Sequence, residues 1–242
     1  ILTDMNLSDI LCSMPERSST KLRRTMRDDL VQIIQDEILG KKFKPGERIK
    51  EEVICAELGI SRTPVREALV VLEQQGLVVQ KPHQGSFVAS FSPDEIADLL
   101  RLEAVVEGLA ASLAAQYRSE EQLQEIEHLT ASMRTSLTEH FDSEAFYNYD
   151  RNFHYKLVEC SRSPTIVRVV EVQLAQIYLC RYYTITAPNR FIHSVREHQD
   201  IIDCLRRSDP NGAEQAARNH LESVIRDYQA AARSCLLYTS DA

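Results

Sequence analysis

No hydrophobic run in this 242-residue sequence is long enough to span a membrane, and no signal-peptide pattern opens it. The six cysteines are scattered and show none of the paired spacings that hold zinc or form a disulfide framework. Internal repeats and low-complexity tracts are also absent. We therefore expect a cytoplasmic globular protein whose thiols stay reduced and pack as small hydrophobic side chains.

An excess of positive charge is missing as well. The chain carries 28 Lys and Arg against 36 Asp and Glu, a net charge of -8. The imbalance is uneven, because residues 21–90 hold 12 basic against 10 acidic side chains, whereas residues 91–242 hold 15 against 23. Local basic patches matter more for binding phosphate than the total charge. The length allows two modest domains. The net negative charge of the chain does not exclude DNA binding by the first of them, because its own net charge is positive.

A helix-turn-helix pattern is centred on residues 56–69, with apolar positions from Val53 to Leu72. Apolar residues stop at Gly59 and resume at Val65, which predicts a short helix, a tight turn and a second helix with Ser61 as its N-cap. The exposed N-terminal face of that helix carries the candidate DNA-contacting residues Arg62, Thr63 and Arg66. Arginine can bind guanine through two hydrogen bonds, and a helix N-terminus favours phosphate. The alternative is a helix-turn-helix that serves only as a packing unit.

Two short strands are predicted directly after the second helix. Residues 77–80 and 86–89 have strand composition and flank a polar turn. A hairpin in this place forms a wing, whose tip can contact a minor groove or a phosphate. The candidate contacts at the tip are His83, Gln84 and Gly85. Glycine there lets the backbone approach the sugar–phosphate chain without a side-chain clash.

Four segments, taken in order, resemble the winged helix of GntR-type bacterial transcription regulators. They are residues 45–49, 61–69, 74–78 and 85–88, with the sequences PGERI, SRTPVREAL, QQGLV and GSFV. The ordered set is specific, although no single segment would be persuasive alone. The resemblance implies a DNA-binding transcriptional regulator. Because one winged helix contacts few base pairs, we expect a homodimer on a palindromic double-stranded operator.

The winged helix-turn-helix domain is assigned to residues 21–90, after a mobile arm at residues 1–20. Its first helix is predicted from residue 21 to about residue 39 by an amphipathic period. Four basic residues cluster at the start of this helix: Lys21, Arg23, Arg24 and Arg27. They either contact the DNA backbone or form an ordinary solvated helix face.

A second domain is predicted over residues 91–232. Ser92, Pro93 and Glu95 form a capping box with proline at the first helical position. Periodicity and capping predict six helices, near residues 93–117, 120–138, 143–160, 164–185, 191–207 and 210–232. The fold class is therefore mainly α, an N-terminal winged helix-turn-helix plus a C-terminal all-α antiparallel helical bundle. Residues 233–242 fit no helix period and are interpreted as a tail foreign to the native protein.

Four side chains on three predicted helices form a candidate metal site: Asp150, His154, His198 and His220. Asp150 and His154 are four residues apart and so share a helix face. Three imidazoles and one carboxylate that point into a bundle complete the first shell of a divalent transition metal. Zinc is the first candidate, and nickel, manganese and iron suit the same ligands. With seven histidines in the chain, a chance grouping is the alternative.

The helical half resembles the effector domain of the FadR branch of GntR regulators, called the FCD domain. The metal-binding pattern of that domain falls on residues 150–154, 197–198 and 219–221, with the sequences DRNFH, EH and NHL. The resemblance implies a metal at the floor of a cavity that takes a small-molecule effector, commonly an organic acid. A carboxylate effector would fill open metal positions and pair with an arginine.

One position departs from the pattern of this family. Where many relatives place an arginine on the first bundle helix, this chain has Glu103, which would repel an anionic effector if it faces the cavity. Arg181, which lies among three tyrosines, is the candidate to supply the positive charge that relatives obtain from that arginine. A dimer or core surface is an equal interpretation of that aromatic cluster.

The sequence thus predicts a transcriptional regulator, not an enzyme, whose operator affinity changes when a small molecule binds at the metal site. One rival is a metalloenzyme with a DNA-binding module, which would use the same four residues and a metal-activated water. No general acid or base beside the metal can be assigned by motif. The other rival is a structural bundle whose polar residues form a satisfied network.

Overall fold

The structure is a computed structural model that describes residues 26–40, 42–138, 142–170, 176, 179 and 190–239. The expected N-terminal arm lies outside the described residues. So do three of the four basic residues at the start of the first helix, namely Lys21, Arg23 and Arg24.

The N-terminal unit is a winged helix-turn-helix. Its elements are α1 (Met26–Leu39), β1 (Arg48–Ile49), α2 (Glu51–Leu58), α3 (Arg62–Gln74), β2 (Val78–Lys81) and β3 (Gly85–Val88). The strands form an antiparallel sheet in the order β1–β3–β2, in which Lys81 faces Gly85 and Arg48 faces Phe87. The wing is confirmed, whereas β1 was not predicted, because two residues are too few to show the alternation of a strand.

The turn between α2 and α3 has the predicted form. Gly59 has a left-handed backbone with φ 65° and donates its N–H to the carbonyl of Cys55. Ser61 takes the extended N-cap conformation, but its hydroxyl makes no capping hydrogen bond. The face of α3 that packs on α1 is buried through Val65, Ala68, Leu69 and Leu72.

The C-terminal unit is an α-helical bundle. Its helices with described bounds are α4 (Pro93–Tyr117), α5 (Glu120–Thr138), α6 (Ser143–Cys160), α7 (Arg190–Arg206) and α8 (Pro210–Thr239). Residues 164–170, 176 and 179 are also helical, within the span predicted as the fourth bundle helix. The other residues of that span lie outside the description. The predicted bounds of α4, α5 and α6 agree with the structure, and the mainly α fold class is confirmed.

The predicted end of the last helix at residue 232 is wrong. Helix α8 continues to Thr239, so residues 233–239, interpreted as a tail without helix period, are helical. No glycine or proline follows Gly212 to end the helix. A fading apolar period marks the end of a packing face, and a helix can extend beyond that point.

Apolar faces of these helices form the bundle core. Phe146, Phe153, Leu157, Ile201 and Leu205 are fully buried in one cluster. The Cys160 thiol is buried there as well, and burial raises its pKa to about 12, as befits a small hydrophobic side chain. None of the described helices is long and apolar enough to cross a membrane.

Loss of the cap at the start of α4 should destabilise the bundle. The Ser92 hydroxyl accepts the N–H of Glu95 at 3.3 Å, and the Glu95 carboxylate accepts the N–H of Ser92 at 2.8 Å. We expect Ser92→Ala to lower the free energy of unfolding by about 1 kcal/mol, because an N-terminal N–H loses its acceptor. Chemical denaturation followed by circular dichroism measures the change, with the exposed Ser90→Ala as control. Equal stability of the two variants would contradict the role of the cap.

Candidate metal centre and nucleic-acid interface

The exposed face of α3 carries the residues predicted to contact DNA. Arg62, Thr63 and Arg66 are all exposed, and the Arg66 side chain retains 62% of its accessible surface. The buried residues of α3 lie on the opposite face. The three candidates therefore share one accessible surface near the helix N-terminus, as insertion into a major groove requires.

Two acidic residues in the first turn of α2 pair with these arginines, and the sequence analysis missed them. Arg66 Nε donates to Glu51 Oε2 at 2.8 Å, and an Arg62 nitrogen lies 3.4 Å from Glu52 Oε1. Exposed pairs of this kind contribute little to stability. The two pairs position the arginines in the free protein. Because the pairs are weak, the arginines can exchange the carboxylates for a phosphate or a base. The pairing depends on the turn between α2 and α3, which the spacing along the chain conceals.

The wing tip is a tight turn between β2 and β3. His83 has φ 61° and Gly85 has φ 100°, and His83 and Gln84 are exposed. The positive φ of Gly85, rather than a lack of space, favours glycine here, because a Cβ atom would lie at an ordinary contact distance of 3.4 Å from the Arg48 guanidinium. Arg48 on β1 and Lys81 on β2 are both exposed beside the tip. They add positive charge that the sequence analysis did not include among the candidate contacts.

The four predicted metal ligands meet in the interior of the bundle. His154 on α6, His198 on α7 and His220 on α8 are buried, and one nitrogen of each lies within 4.8 Å of the others. Asp150 lies one turn before His154 and places its Oδ1 atom 3.7 Å from Nε2 of both His154 and His198. The structure thus brings together side chains from three helices that the sequence only grouped by type.

This donor set fits a divalent transition metal. Zinc–nitrogen bonds are about 2.0–2.1 Å long, so the ligands of one tetrahedral ion lie about 3.3 Å apart. The two distances of 3.7 Å from the Asp150 carboxylate are close to that separation. Imidazole and carboxylate are ligands that zinc, nickel, manganese and iron all accept, so the set does not select one metal.

Two further carboxylates orient the imidazoles: Glu197 lies within the metal-binding pattern of the FCD resemblance but was not predicted as a site residue, and Glu107 was not predicted at all. Glu107 on α4 accepts a hydrogen bond from Nδ1 of His154 at 2.7 Å, and Glu197 on α7 accepts one from Nδ1 of His220 at 2.8 Å. Metal-binding histidines commonly donate their other ring N–H to a carboxylate, which leaves Nε2 for the ion. Glu107 had a signal in the sequence, because it interrupts the apolar face of α4 one turn after Glu103.

Burial sets the protonation of His220, and hydrogen bonding and charge set that of Glu197. Burial lowers the pKa of His220, so its imidazole is neutral at neutral pH and suited to a metal. Burial acts to raise the pKa of Glu197, but the hydrogen bond from His220 and the charge of Arg190 outweigh it and hold that pKa at about 2. The Arg190 guanidinium is fully buried and joins α7 to α8 by donating to Ser194, Glu197, Ser223 and Asp227.

The two candidate effector residues differ in what the structure shows. Glu103 is buried on α4, and its carboxylate belongs to a second close group with Glu107 and His154, whose atoms lie within 4.8 Å of one another. Arg181 lies outside the described residues. A pocket of about 510 Å³ borders α7 and α8, and its lining includes Glu197, His220 and Arg226.

Both halves of the chain match known families. Residues 26–88 match the bacterial regulatory proteins of the gntR family, and residues 98–223 match the FCD domain. The chain is 31% identical over 224 residues to an uncharacterized HTH-type transcriptional regulator in an unstable DNA locus of Streptomyces ambofaciens, covering 90% of this chain and 92% of that protein. It is 25% identical to the HTH-type transcriptional repressor RspR of Escherichia coli K12, over 82% of this chain and 87% of the repressor.

A solved structure shares the fold, and the family assignment follows. A GntR transcriptional regulator from Rhodococcus sp. RHA1 aligns with a TM-score of 0.73 at 23% identity, covering 85% of this chain and 98% of that one. The matched families and relatives are transcriptional regulators rather than enzymes. The sequence resemblance is thereby confirmed: the protein belongs to the GntR family of DNA-binding transcriptional regulators and carries an FCD effector domain.

Proposed function

We propose that this protein is a cytoplasmic homodimer that binds a palindromic DNA operator and responds to a small carboxylate at a metal ion in its helical domain. The buried cluster of His154, His198, His220 and Asp150 carries this proposal. A sensor needs a site that binds the ligand and a site whose binding changes in response. In this proposal the bundle binds the ligand and the winged helix binds DNA.

On the DNA side, α3 and the wing offer two kinds of contact. The exposed arginines of α3 suit base edges and phosphates in a major groove, whereas the tip at residues 83–85 suits a minor groove or the backbone. Arg48 and Lys81 extend the same positive surface. Glu51 holds Arg66 until a phosphate or a base replaces the carboxylate.

The proposed dimer uses an exposed apolar stripe on α4. Leu102, Val105 and Leu109 lie three or four residues apart and share one face, and Val105 is 52% exposed. Val169 is also exposed, on the helical residues 164–170 that pack beside α4. Contiguous exposed apolar surface marks sites of protein contact. We take a second copy of the chain as the partner on this stripe, because a palindromic operator has two-fold symmetry and so does a homodimer.

A charge placed in this stripe should separate the dimer. We expect Val105→Glu to weaken self-association by at least about 10-fold, because each of two symmetry-related copies would bury an unpaired carboxylate. Sedimentation equilibrium over a range of concentrations measures the change. Gln124→Glu introduces the same charge at an exposed position of α5 and should leave the dimer intact. An unchanged dimerisation constant in Val105→Glu would exclude this stripe as the interface.

On the sensing side, the four ligands would hold the ion, while Glu107 and Glu197 orient two of the imidazoles. A bound ion would supply a Lewis-acidic centre with open positions for a carboxylate. Zinc is the first candidate. We infer an organic acid with a single carboxylate, because Glu103 and Glu107 already place two carboxyl groups beside His154.

Metal analysis of purified, desalted protein and selection of duplexes from a random DNA pool together test the proposal. A stoichiometric ion and an enriched palindrome would support it. An ion-free protein would favour the structural network, and turnover of an organic acid by metal-loaded protein would favour the metalloenzyme. Salt-sensitive binding without enrichment would show that α3 has no sequence-specific role.

A further inference from the structure

A contact between the two domains lies at the C-terminal end of the DNA-contacting helix. The side-chain amide of Gln176 donates from Nε2 to the backbone carbonyl of Gln75 at 3.0 Å, across 101 positions of sequence. Gln75 is the C-cap residue of α3. The last carbonyls of a helix lack partners within the helix. Here a side chain of the effector domain satisfies one of them.

Gly76 makes room for this contact. A Cβ atom at this position would overlap the amide of Gln176. Gly76 also has a left-handed backbone with φ 71°, and it ends α3 with its N–H on the carbonyl of Glu73 and the N–H of Leu77 on that of Leu72. Helix termination alone accounts for a glycine here, and the proximity of Gln176 is a second, independent reason for the missing side chain.

Leu179 adds an apolar contact at the same place. Its side chain is 3% exposed and belongs to the hydrophobic core of the winged helix, although its position in the sequence lies within the FCD match. That core includes Leu72 and Leu77, which flank the end of α3. Helical residues three apart share a face, so Leu179 and Gln176 reach the winged helix together.

Described residues that precede Gln176 in the sequence pack in the bundle. Residues 164–170 pack against Ala110 of α4 and Val158 of α6. Ala110 lies three residues after Glu107, and Val158 lies four residues after His154. Residues 164–170 therefore pack about one turn from Glu107, which orients His154, on α4 and about one turn from the ligand His154 on α6.

We propose that Gln176 and Leu179 connect the helical domain to α3, so that a change at the metal site is transmitted to the DNA-contacting helix. Residues 164–170 pack on α4 and α6, and Gln176 and Leu179 follow them in sequence, so a shift of residues 164–170 would be passed along the chain to the C-terminal end of α3. The contact itself needs no ligand. Its regulatory role rests on the proposed metal-dependent function.

A double-mutant cycle tests the contact without any ligand. Gly76→Ala should lower the melting temperature because of its φ angle and because the Gln176 amide must swing away and lose its hydrogen bond. Once that bond is lost, removing the Gln176 side chain costs little more. The drop in Gly76→Ala/Gln176→Ala should therefore be smaller than the sum of the single drops. Additive drops would overturn the contact.

Operator binding with and without zinc chloride tests the regulatory role. In the wild-type protein, zinc added after chelation should change the dissociation constant of the selected duplex by about 5-fold or more, the usual range of allosteric coupling. Leu179→Ala should still bind zinc and DNA, but this factor should fall toward one. Arg168→Ala changes an exposed residue within residues 164–170 and should leave the effect of zinc on operator binding unchanged.

The outcomes separate the connection from the function on which it rests. An intact zinc effect in Leu179→Ala would overturn the proposed connection. No zinc effect in the wild-type protein would overturn the transmission of metal binding to α3. The proposed response to a carboxylate is tested separately, and the double-mutant cycle still decides whether the contact exists.

Discussion

His198→Ala should remove the metal ion from the purified protein and lower the melting temperature of the helical domain. The imidazole of His198 lies 3.7 Å from the Asp150 carboxylate and stacks on Phe153 with 3.9 Å between ring centroids. An ion that binds only the folded state stabilises it by about 4 kcal/mol at a concentration 1,000 times its Kd. For a domain of this size, the loss corresponds to a drop on the order of 10 °C. Elemental analysis and calorimetry measure the two effects.

A lower melting temperature alone would not prove metal loss, because the missing ring leaves a cavity beside Phe153. A chelator should lower the melting temperature of the wild-type protein and leave that of His198→Ala unchanged. His193→Ala alters a half-exposed histidine on the same helix and should retain both the ion and the stability. Equal metal content in the two histidine variants would contradict the site.

Arg66→Ala should weaken binding to the selected operator by about 1–3 kcal/mol, roughly 5- to 150-fold, without unfolding the protein. The guanidinium is exposed on α3, and the core contacts of that helix are made by its opposite face. The loss should therefore appear in the dissociation constant and not in the melting temperature. Fluorescence anisotropy with labelled duplex at near-physiological salt measures the first, and circular dichroism the second.

Two matched variants separate a specific contact from a general loss of charge. Glu51→Gln keeps Arg66 and removes the carboxylate that holds it, so this variant should bind the operator at least as tightly as the wild type. Arg206→Ala removes an exposed, paired arginine at the end of α7 and should leave binding unchanged. If Arg66→Ala binds as tightly as Arg206→Ala, Arg66 does not belong to the interface.

Local signals were sufficient for most helix boundaries. Helix α4 begins at the capping box of Ser92 and Glu95, and the turn before α3 is set by Gly59. Each signal depends on residues within one helical turn of it, so it can be recognised from the sequence alone. The two errors, β1 and the end of α8, concern elements without such signals: one strand is too short to alternate, and one helix lacks a residue that stops it.

Helix periodicity was likewise enough to show that Asp150 and His154 share one face of α6. It also showed that Arg62 and Arg66 share one face of α3. It could not show which helices would face each other. The bonds of Glu107 to His154, of Glu197 to His220 and of Gln176 to Gln75 join residues 47, 23 and 101 positions apart. Such partners are chosen by how whole helices pack, through the burial of many apolar side chains at once, and no local period along the chain records that choice.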